Sequence, residues 1–234
     1  MARITRRSAC YSGEVRILLA DDHPLFRLAL AQAVQRVAPE AEIAEVGSFD
    51  DALSDLATHA DTDLVLLDLH MPGSHGLMAL ASLRGQFPTI SVVMISAHDD
   101  AATVQRALVH GAAGFISKRS ALDELEAALR AVLNAQTWLP ATLRGAVGGG
   151  AGNSADRQLA ARLAALSPQQ MRVLGMVADG LLNKQIADRL GVQERTVKAH
   201  LSAVFERLDV RNRTQAGVLL RSLELADPSL HVGD

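Results

Sequence analysis

The sequence predicts two folded parts: a doubly wound α/β domain built on a parallel sheet, followed by a small all-α domain of four helices. Short apolar runs alternate with helical patterns from residue 15 to residue 133, and strand patterns are absent after a glycine-rich stretch. The net charge is −5 over residues 1–154 and +2 over residues 155–234, so the two halves should have different partners. With 234 residues, 49% of them hydrophobic, the chain can form two packed cores.

Five short apolar runs in the first half are typical of β-strands. Two of them, residues 64–67 and 92–95, are apolar at consecutive positions, as in strands buried on both faces of a parallel sheet. Between the runs, apolar residues such as Phe26, Leu30 and Val34 recur at helical spacing. Five β–α units of this kind favour a five-stranded parallel sheet with helices on both faces. The predicted strands are residues 15–20, 42–46, 64–68, 92–96 and 114–118.

A glycine-rich stretch separates the two halves. Gly148, Gly149 and Gly150 follow one another, and residues 145–152 contain no side chain larger than that of Val147, which is typical of a flexible linker. We therefore expect a disordered N-terminal extension, the α/β domain, the linker, the helical domain and a short C-terminal tail. Their predicted bounds are 1–13, 14–135, 136–158, 159–225 and 226–234.

Capping residues mark the four predicted helices of the second half. The first helix begins with the capping-box residues Ser167 and Gln170, with Pro168 between them, and Gly180 fits its C-cap. The third helix spans residues 194–208. The second and fourth helices take Asn183 and Thr214 as their predicted N-caps.

Composition excludes several classes of protein. A single cysteine, Cys10, cannot form an internal disulfide or a cysteine-based zinc site. The sequence has no apolar run of about 18 residues, so we expect no membrane span. Residues 1–13 are basic, but no apolar segment follows them, so the pair Arg6 and Arg7 is a poor export signal. We expect a cytoplasmic protein.

Polar residues follow several of the predicted strands where those strands end. Asp21, Asp22 and Asp68 follow or end the first and third strands, Ser96 ends the fourth, and Lys118 ends the fifth. The carboxyl ends of parallel strands meet at one edge of a sheet, where three carboxylates would repel one another unless a divalent cation such as Mg²⁺ lay among them. Asp is a competent nucleophile for phosphoryl groups, and a hydroxyl and an ammonium can hold the other phosphoryl oxygens. An Asp after a strand is usually a turn or helix-cap residue, so each of these residues taken alone has that alternative.

These residues lie in motifs that resemble the receiver domains of two-component response regulators. The motifs are residues 21–24 (Asp-Asp-His-Pro), 68–73 (Asp-Leu-His-Met-Pro-Gly), 96–97 (Ser-Ala) and Lys118, and the resemblance covers residues 14–135. It implies that Asp68 is the phosphoacceptor and that Lys118 binds the phosphoryl group. It also implies Mg²⁺ ligands from Asp21, Asp22, Asp68 and the backbone carbonyl of His70, and switch positions at Ser96 and Phe115. Arg119 departs from the proline that many receivers have after this lysine.

The third helix of the second half has the layout of a DNA-recognition helix. Val197, Leu201, Val204 and Leu208 recur at helical spacing and should face a core. Polar or small residues near the helix start face the other way, where they can reach base edges; they are Arg195, Thr196, Lys198, Ala199 and Ser202. Phosphate contacts are expected from Lys184, Arg211 and Arg213. A basic helix face can also be merely solvated.

The helical half resembles the LuxR-type helix-turn-helix domain. The matching segments are residues 166–170, 180–187, 196–201 and 208–216, with the helix-turn-helix predicted from about Lys184 to Ala203. Together with a receiver, such a domain is typical of the NarL/FixJ family of response regulators. Gln170 replaces the usual Glu but can still close a capping box, whereas Gln193 replaces the usual Ser or Thr and should weaken the cap of the recognition helix.

We therefore predict a phosphorylation-controlled transcriptional regulator and not an enzyme. A histidine kinase, or a small phosphodonor, would phosphorylate Asp68, which would pull Ser96, reorient Phe115 and shift the receiver conformation. The partners implied are the kinase, operator DNA and a second copy of the chain. The last helix, from residue 214 to 225, is apolar on more than one face, so it could serve as a dimer contact or belong only to its own core.

Two rival hypotheses come from other classes. In aspartyl-phosphate hydrolases, an acid/base Asp normally follows the nucleophile by two residues, and here that position is His70. In autoinducer-sensing LuxR-type regulators the pocket tends to be aromatic-rich, whereas this chain has one tryptophan, Trp138, and one tyrosine, Tyr11. Separately, His70 and His98 lie two residues after Asp68 and Ser96, where they would either tune dephosphorylation or remain solvated bystanders.

Overall fold

A computed structural model describes residues 15–144 and 154–223. The predicted N-terminal extension, the glycine-rich centre of the predicted linker and the predicted C-terminal tail lie outside these residues. No helix within the described part of the chain is long and apolar enough to cross a membrane.

The first domain contains a parallel sheet of five strands in the order β2-β1-β3-β4-β5. All five predicted strands are confirmed, each within one residue of its predicted bounds. The sheet register pairs Asp68 with Ile95 and Ser96 with Ser117, so the carboxyl ends of β3, β4 and β5 lie side by side. The strands are β1 Arg16–Ala20, β2 Glu42–Val46, β3 Leu64–Asp68, β4 Ser91–Ser96 and β5 Gly114–Ser117.

Five helices cover the sheet on both faces. Residues alternate along β1, so that Ile17 and Leu19 pack with α1 and α5 while Leu18 and Ala20 pack with α2, α3 and α4. This alternation places a hydrophobic layer on each side of the sheet. The helices are α1 Pro24–Val37, α2 Phe49–Thr58, α3 Leu77–Gln86, α4 Ala101–Val109 and α5 Leu122–Leu133.

The segment after α5 returns to the edge of the sheet. The backbone N–H of Phe115 donates to the carbonyl oxygen of Trp138 at 2.9 Å. The Arg144 guanidinium lies 4.5 Å from the centre of the Trp138 ring, just after a short 3₁₀ turn at Ala141–Leu143. Residues 136–144, expected to be part of the linker, are thus tied to β5.

The second domain has five helices in the described residues, one more than the four predicted. The extra helix, α6, begins inside the stretch predicted as linker, and only Leu163 on it is buried. A helix that buries one residue shows little apolar periodicity, which is why the sequence pattern missed it. The helices are α6 Ser154–Ala164, α7 Pro168–Ala178, α8 Asn183–Leu190, α9 Glu194–Leu208 and α10 Arg213–Leu223.

Two of the predicted helix starts need correction. The capping box of Ser167 and Gln170 is confirmed, and Gln193 makes no side-chain cap bond, as predicted. Asn183 lies inside α8 as its first residue, since the N-cap position belongs to Leu182. At α10 it is Asn212, and not Thr214, whose side chain accepts a backbone N–H bond, from Gln215 at 2.9 Å.

The helix-turn-helix predicted from about Lys184 to Ala203 lies on α8 and α9. Its first helix, α8, starts at Asn183, directly before Lys184, and its second helix, α9, continues past Ala203 to Leu208. Ala203 is half-buried inside α9, which ends at Leu208 as predicted for the third helix. The physical reason is that Val204 and Leu208 are both buried, so the apolar face of the helix continues to its last residue.

The two domains pack against each other along α6. This helix lies against α3 and α4. The approach is so close that a β-carbon on Gly85 of α3 would collide with the carbonyl oxygen of Ala164. Apolar residues of both domains join one cluster, in which Leu163 and Leu220 lie with Leu80 and Ala81 of α3. Shape-matched apolar contact therefore holds the domains together.

Candidate functional site

Three carboxylates meet at one edge of the sheet, as predicted. Asp21 and Asp22 follow β1 and Asp68 ends β3, which is the neighbour of β1 in the sheet. The side chain of Asp68 is 1% exposed and that of Asp21 is fully buried, while Asp22 is partly exposed. Burying carboxylates is costly unless a cation compensates them.

Lys118 supplies part of that compensation. Its Nζ lies 2.9 Å from Asp68 Oδ2 and 2.8 Å from Asp21 Oδ2. The residue directly follows β5, and its backbone N–H donates to the Ser96 carbonyl at 2.8 Å. Burial raises the pKa of the Asp68 carboxyl, and although the Lys118 ammonium lowers it, the net pKa stays above its ordinary value. The predicted ammonium is therefore in contact with the predicted nucleophile.

His23 is also a member of the site, although the sequence presents it only as part of the motif at residues 21–24. Its Nδ1 lies 2.8 Å from Asp22 Oδ1 and 3.2 Å from Asp21 Oδ1, and its backbone N–H donates to Asp21 at 2.7 Å. The signal for this placement was its position directly after the two aspartates, at the N-cap of α1.

The donor set fits a divalent cation. Asp21, Asp22, His23 and Asp68 each offer one ligand atom, and these atoms all lie within 4.8 Å of one another. Three carboxylates are the type of ligand that Mg²⁺ prefers, and the imidazole nitrogen adds a donor that transition metals accept. Receiver-type magnesium chemistry is therefore compatible with the residues present.

The two predicted switch positions are both fully buried. Ser96 ends β4, and its Oγ accepts the backbone N–H of His98 at 3.0 Å. Phe115 lies on the neighbouring strand β5 and is the largest fully buried side chain in the described residues. Since the interior is close-packed, Phe115 can move only if its surroundings rearrange.

His70 and His98 meet beside Asp68. The backbone N–H of His70 donates to Asp68 Oδ1 at 3.3 Å. The two imidazole rings form an edge-to-face pair with centroids 5.3 Å apart and an angle of 72° between their planes. Nδ1 of His98 is buried with no hydrogen-bond partner among the described residues. The backbone of His70 thus contacts the carboxylate, and the ring of His70 contacts that of His98.

The α9 helix presents the predicted polar face. Its four predicted core residues are buried, Thr196 is half-buried, and the other four predicted base-contact residues are exposed. Lys198 Nζ pairs with Glu194 Oε1 at 2.9 Å, one helical turn before it. The exposed group is Arg195, Lys198, Ala199 and Ser202.

The three residues predicted to contact phosphates differ in their surroundings. Lys184 at the start of α8 and Arg211 before α10 are exposed. Arg213 is half-buried, and its guanidinium donates to the Leu181 carbonyl and to Asn183 Oδ1. Arg213 therefore fastens α10 to the start of α8, and a phosphate contact by it stays a prediction.

Two family models match the chain. The model described as the response regulator receiver domain matches residues 17–130. The model described as bacterial regulatory proteins of the luxR family matches residues 164–220.

Full-length relatives and solved structures resemble the chain over most of its length. It is 43% identical over 204 residues to the glycerol metabolism activator of Pseudomonas putida, covering 86% of this chain and 92% of that protein. It is 37% identical to a probable transcriptional regulatory protein NarL of Mycobacterium tuberculosis, covering 87% and 92%.

Among solved structures, RcsB of Salmonella enterica serovar Typhimurium bound to the promoter P1flhDC shares this fold, with a TM-score of 0.52, 21% identity, and coverage of 90% of this chain and 100% of that one. A structure of two RcsB dimers bound to two parallel DNAs shares it with a TM-score of 0.53, also at 21% identity, covering 90% and 100%.

Proposed function

Because the chain belongs to the NarL/FixJ family of response regulators, with a receiver domain and a LuxR-type DNA-binding domain, we propose that phosphorylation of Asp68 controls its binding to operator DNA. The donor is a histidine kinase, or a small phosphodonor in its place. The observation that carries this proposal is the buried Asp68 carboxylate in direct contact with Lys118 and beside Asp21 and Asp22. A nucleophile, an ammonium and a divalent-cation site within a few ångströms of one another suit phosphoryl transfer.

The transfer step needs only groups placed at this edge of the sheet. A carboxylate oxygen of Asp68 bonds to phosphorus while the bond from phosphorus to the donor's leaving atom breaks, and the leaving group keeps the electron pair and gains a proton. Lys118 lies where it can hold a phosphoryl oxygen. Asp21, Asp22, Asp68 and the carbonyl of His70 would hold Mg²⁺, which when bound neutralises part of the negative charge on the phosphoryl oxygens.

The response begins at Ser96 and Phe115. The new phosphoryl charge attracts the Ser96 hydroxyl, and Phe115 repacks into the space that this movement leaves. Movement of β5 also acts on the following segment, since the Phe115 N–H is bonded to Trp138. The receiver surface then favours release of the DNA-binding domain, dimerisation, or both.

We propose that the active form is a homodimer on DNA. Ala216, Leu220 and Leu223 of α10 already belong to the core, which leaves the outer face of that helix for a second copy. Val218 on that face is 57% exposed. The α9 helices of two copies would then read two half-sites. With DNA as its partner, the protein would act in the cytoplasm.

We propose no enzymatic reaction beyond acceptance and loss of the phosphoryl group. In this chain the residue two positions after Asp68 is His70, whose ring packs edge-to-face with His98. Position 70 therefore carries no carboxylate to act as the acid/base group of an aspartyl-phosphate hydrolase.

DNA binding in the presence of a phosphoryl mimic tests the proposed function. Operator fragments would be selected from random DNA by the wild-type protein, and binding would be measured with and without beryllofluoride and Mg²⁺. The affinity of the wild type should change and that of Asp68→Asn should stay constant. Equal responses of the two proteins, or no response of the wild type, would overturn the proposal.

The histidine pair should set the lifetime of the phosphorylated state. Because the backbone of His70 contacts Asp68 and the rings of His70 and His98 pack together, these rings can shield the phosphoryl group or order the attacking water. We expect His70→Ala and His98→Ala to change the dephosphorylation half-life several-fold. The half-lives of both single variants and the double variant would be followed between about pH 6 and 8.

His59→Ala is the matched control, since this histidine follows α2 and pairs with Asp55. Its half-life should equal that of the wild type. Half-lives within about twofold for all variants at every pH would show that His70 and His98 are bystanders.

A further inference from the structure

A buried histidine, His110, lies at the interface between the domains. His110 follows α4 directly and is only 4% exposed. Both of its ring nitrogens are buried without a hydrogen-bond partner among the described residues. The adjacent α4 helix packs against α6, the helix that joins the two domains. A buried imidazole with no partner on either nitrogen has no hydrogen bond that would stabilise its protonated form.

Charged groups near His110 come from three helices. Arg106 lies on α4 one turn before it, Asp156 lies on α6, and Arg84 of α3 lies against the neighbouring Gly111. The β5 strand, which also packs on α4, carries no charged residue. Burial and the Arg106 charge lower the pKa of His110, Asp156 raises it, and the result is a pKa of about 4. The neutral imidazole is thus the form that fits the packed interface.

We propose that His110 makes the packing of the two domains dependent on pH, so that protonation of its ring separates the DNA-binding domain from the receiver. A charged imidazole in this interface would be buried next to Arg106 and without a hydrogen-bond partner, which is costly. Separation along α6 brings water to the ring and removes that cost. This device acts in addition to phosphorylation, because it needs neither Asp68 nor a phosphoryl group.

The direction of the pH dependence follows from the pKa values of His110 in the packed and separated forms. In the packed form the pKa of His110 is about 4, and in water it is about 6.5. The packed form therefore binds fewer protons than the separated form. Its stability relative to the separated form is greatest above about pH 6.5 and declines as the pH falls toward 4. Between pH 7.5 and pH 5.5 the ratio of separated to packed molecules should rise about tenfold.

His75 also lies at the interface between the domains. Its Nε2 lies 3.6 Å from Asp179 Oδ1 at the end of α7, so a charge on this ring would favour the packed form, opposite to the effect proposed for His110. The Asp179 side chain is about half exposed, and such pairs contribute little. The net response to acid should therefore follow His110.

A buried reporter on α3 can measure the separation directly. Ser82 is 2% exposed and borders a cavity of about 350 Å³ between α3 and α7. We would prepare the full-length protein with Ser82→Cys and with the native Cys10 replaced by serine. A maleimide carrying a long polyethylene glycol chain is too large to enter the packed interface. Its reaction rate, corrected for the thiolate fraction at each pH, reports the separated population.

Three variants in this background separate the explanations. His110→Leu keeps the interface apolar and removes the proton site, so its corrected rate should change less than twofold between pH 7.5 and 5.5. His75→Gln should retain the roughly tenfold rise expected for the parent protein. Gly85→Val collides with Ala164 and should react fast at both pH values. Circular dichroism at both pH values shows that each variant is folded.

The parent protein alone can overturn the proposal. A corrected rate that does not change between pH 7.5 and 5.5 would do so, as would an equal rise in His110→Leu. If His110→Leu does not fold, the ring of His110 would be titrated by NMR in the parent protein that carries Ser82→Cys and Cys10→Ser. Protonation of this ring without any increase in thiol labelling would also contradict the inference. Because neither measurement involves DNA or a phosphoryl donor, failure here leaves the function of Asp68 untouched.

Discussion

Replacing Asp68 by asparagine abolishes the uptake of a phosphoryl group from acetyl phosphate in the presence of Mg²⁺; this is the largest effect that we expect. An amide lacks the nucleophilic carboxylate oxygen that Lys118 contacts at 2.9 Å. Intact-mass spectrometry should show one added phosphoryl group on the wild type and none on Asp68→Asn. The variant should fold, because burial already disfavours the charged form of this side chain.

Asp99→Asn is the matched control for this experiment. Asp99 lies in the loop after β4, close to the site in sequence, and its carboxylate faces Arg119 at 3.8 Å. This variant should gain one phosphoryl group, as the wild type does. Equal gains in the wild type and in Asp68→Asn would assign the acceptor to another residue.

Lys198→Ala should weaken specific DNA binding by roughly 1–3 kcal/mol if this side chain reads a base, which corresponds to about 5- to 150-fold in affinity. Lys198 is exposed near the start of α9, with exposed small neighbours on the same face. Its partner Glu194 is also exposed, so loss of this pair should cost little folding stability. Affinity would be measured at fixed salt on DNA selected by the wild type.

Two further variants test how the contact works. Lys184→Ala removes an exposed charge at the start of α8 and should weaken specific and non-specific DNA about equally, as loss of a phosphate contact does. Arg36→Ala, in the last turn of α1 in the receiver, should change neither. If Lys198→Ala binds the selected DNA with wild-type affinity, α9 is not the recognition helix.

The sheet and the acidic edge were predictable because parallel strands impose a simple geometry. Buried strands are apolar at consecutive positions, so the bounds of each run were visible in the sequence, and the carboxyl ends had to meet at one edge. Asp68, Asp21 and Lys118 could therefore be brought together from sequence alone. The capping box at Ser167 was equally local, since its two hydrogen bonds involve residues three apart.

What could not be predicted depends on contacts between distant residues. The α6 helix is stabilised by packing on α3 and α4, so its own sequence shows a weak pattern. Arg213 binds a carbonyl more than thirty positions earlier in the chain, where a sequence pattern shows only an arginine before a helix. The position of His23 directly after the two aspartates was visible in the sequence, but the orientation that brings its Nδ1 to 2.8 Å from Asp22 Oδ1 was not.

The hydrogen bond from the Phe115 N–H to the Trp138 carbonyl attaches the segment that connects the two domains to β5. If the connecting segment were a tether anchored only at the end of α5, the position of the DNA-binding domain would not depend on changes at the Asp68 site. Here the tether has a second anchor, the hydrogen bond between Trp138 and the strand that carries Phe115. The Arg144 guanidinium lies over the Trp138 ring beside this anchor. Residues inserted between 134 and 138 would loosen the second anchor, whereas residues inserted after 144 would lengthen the tether and leave the anchor in place.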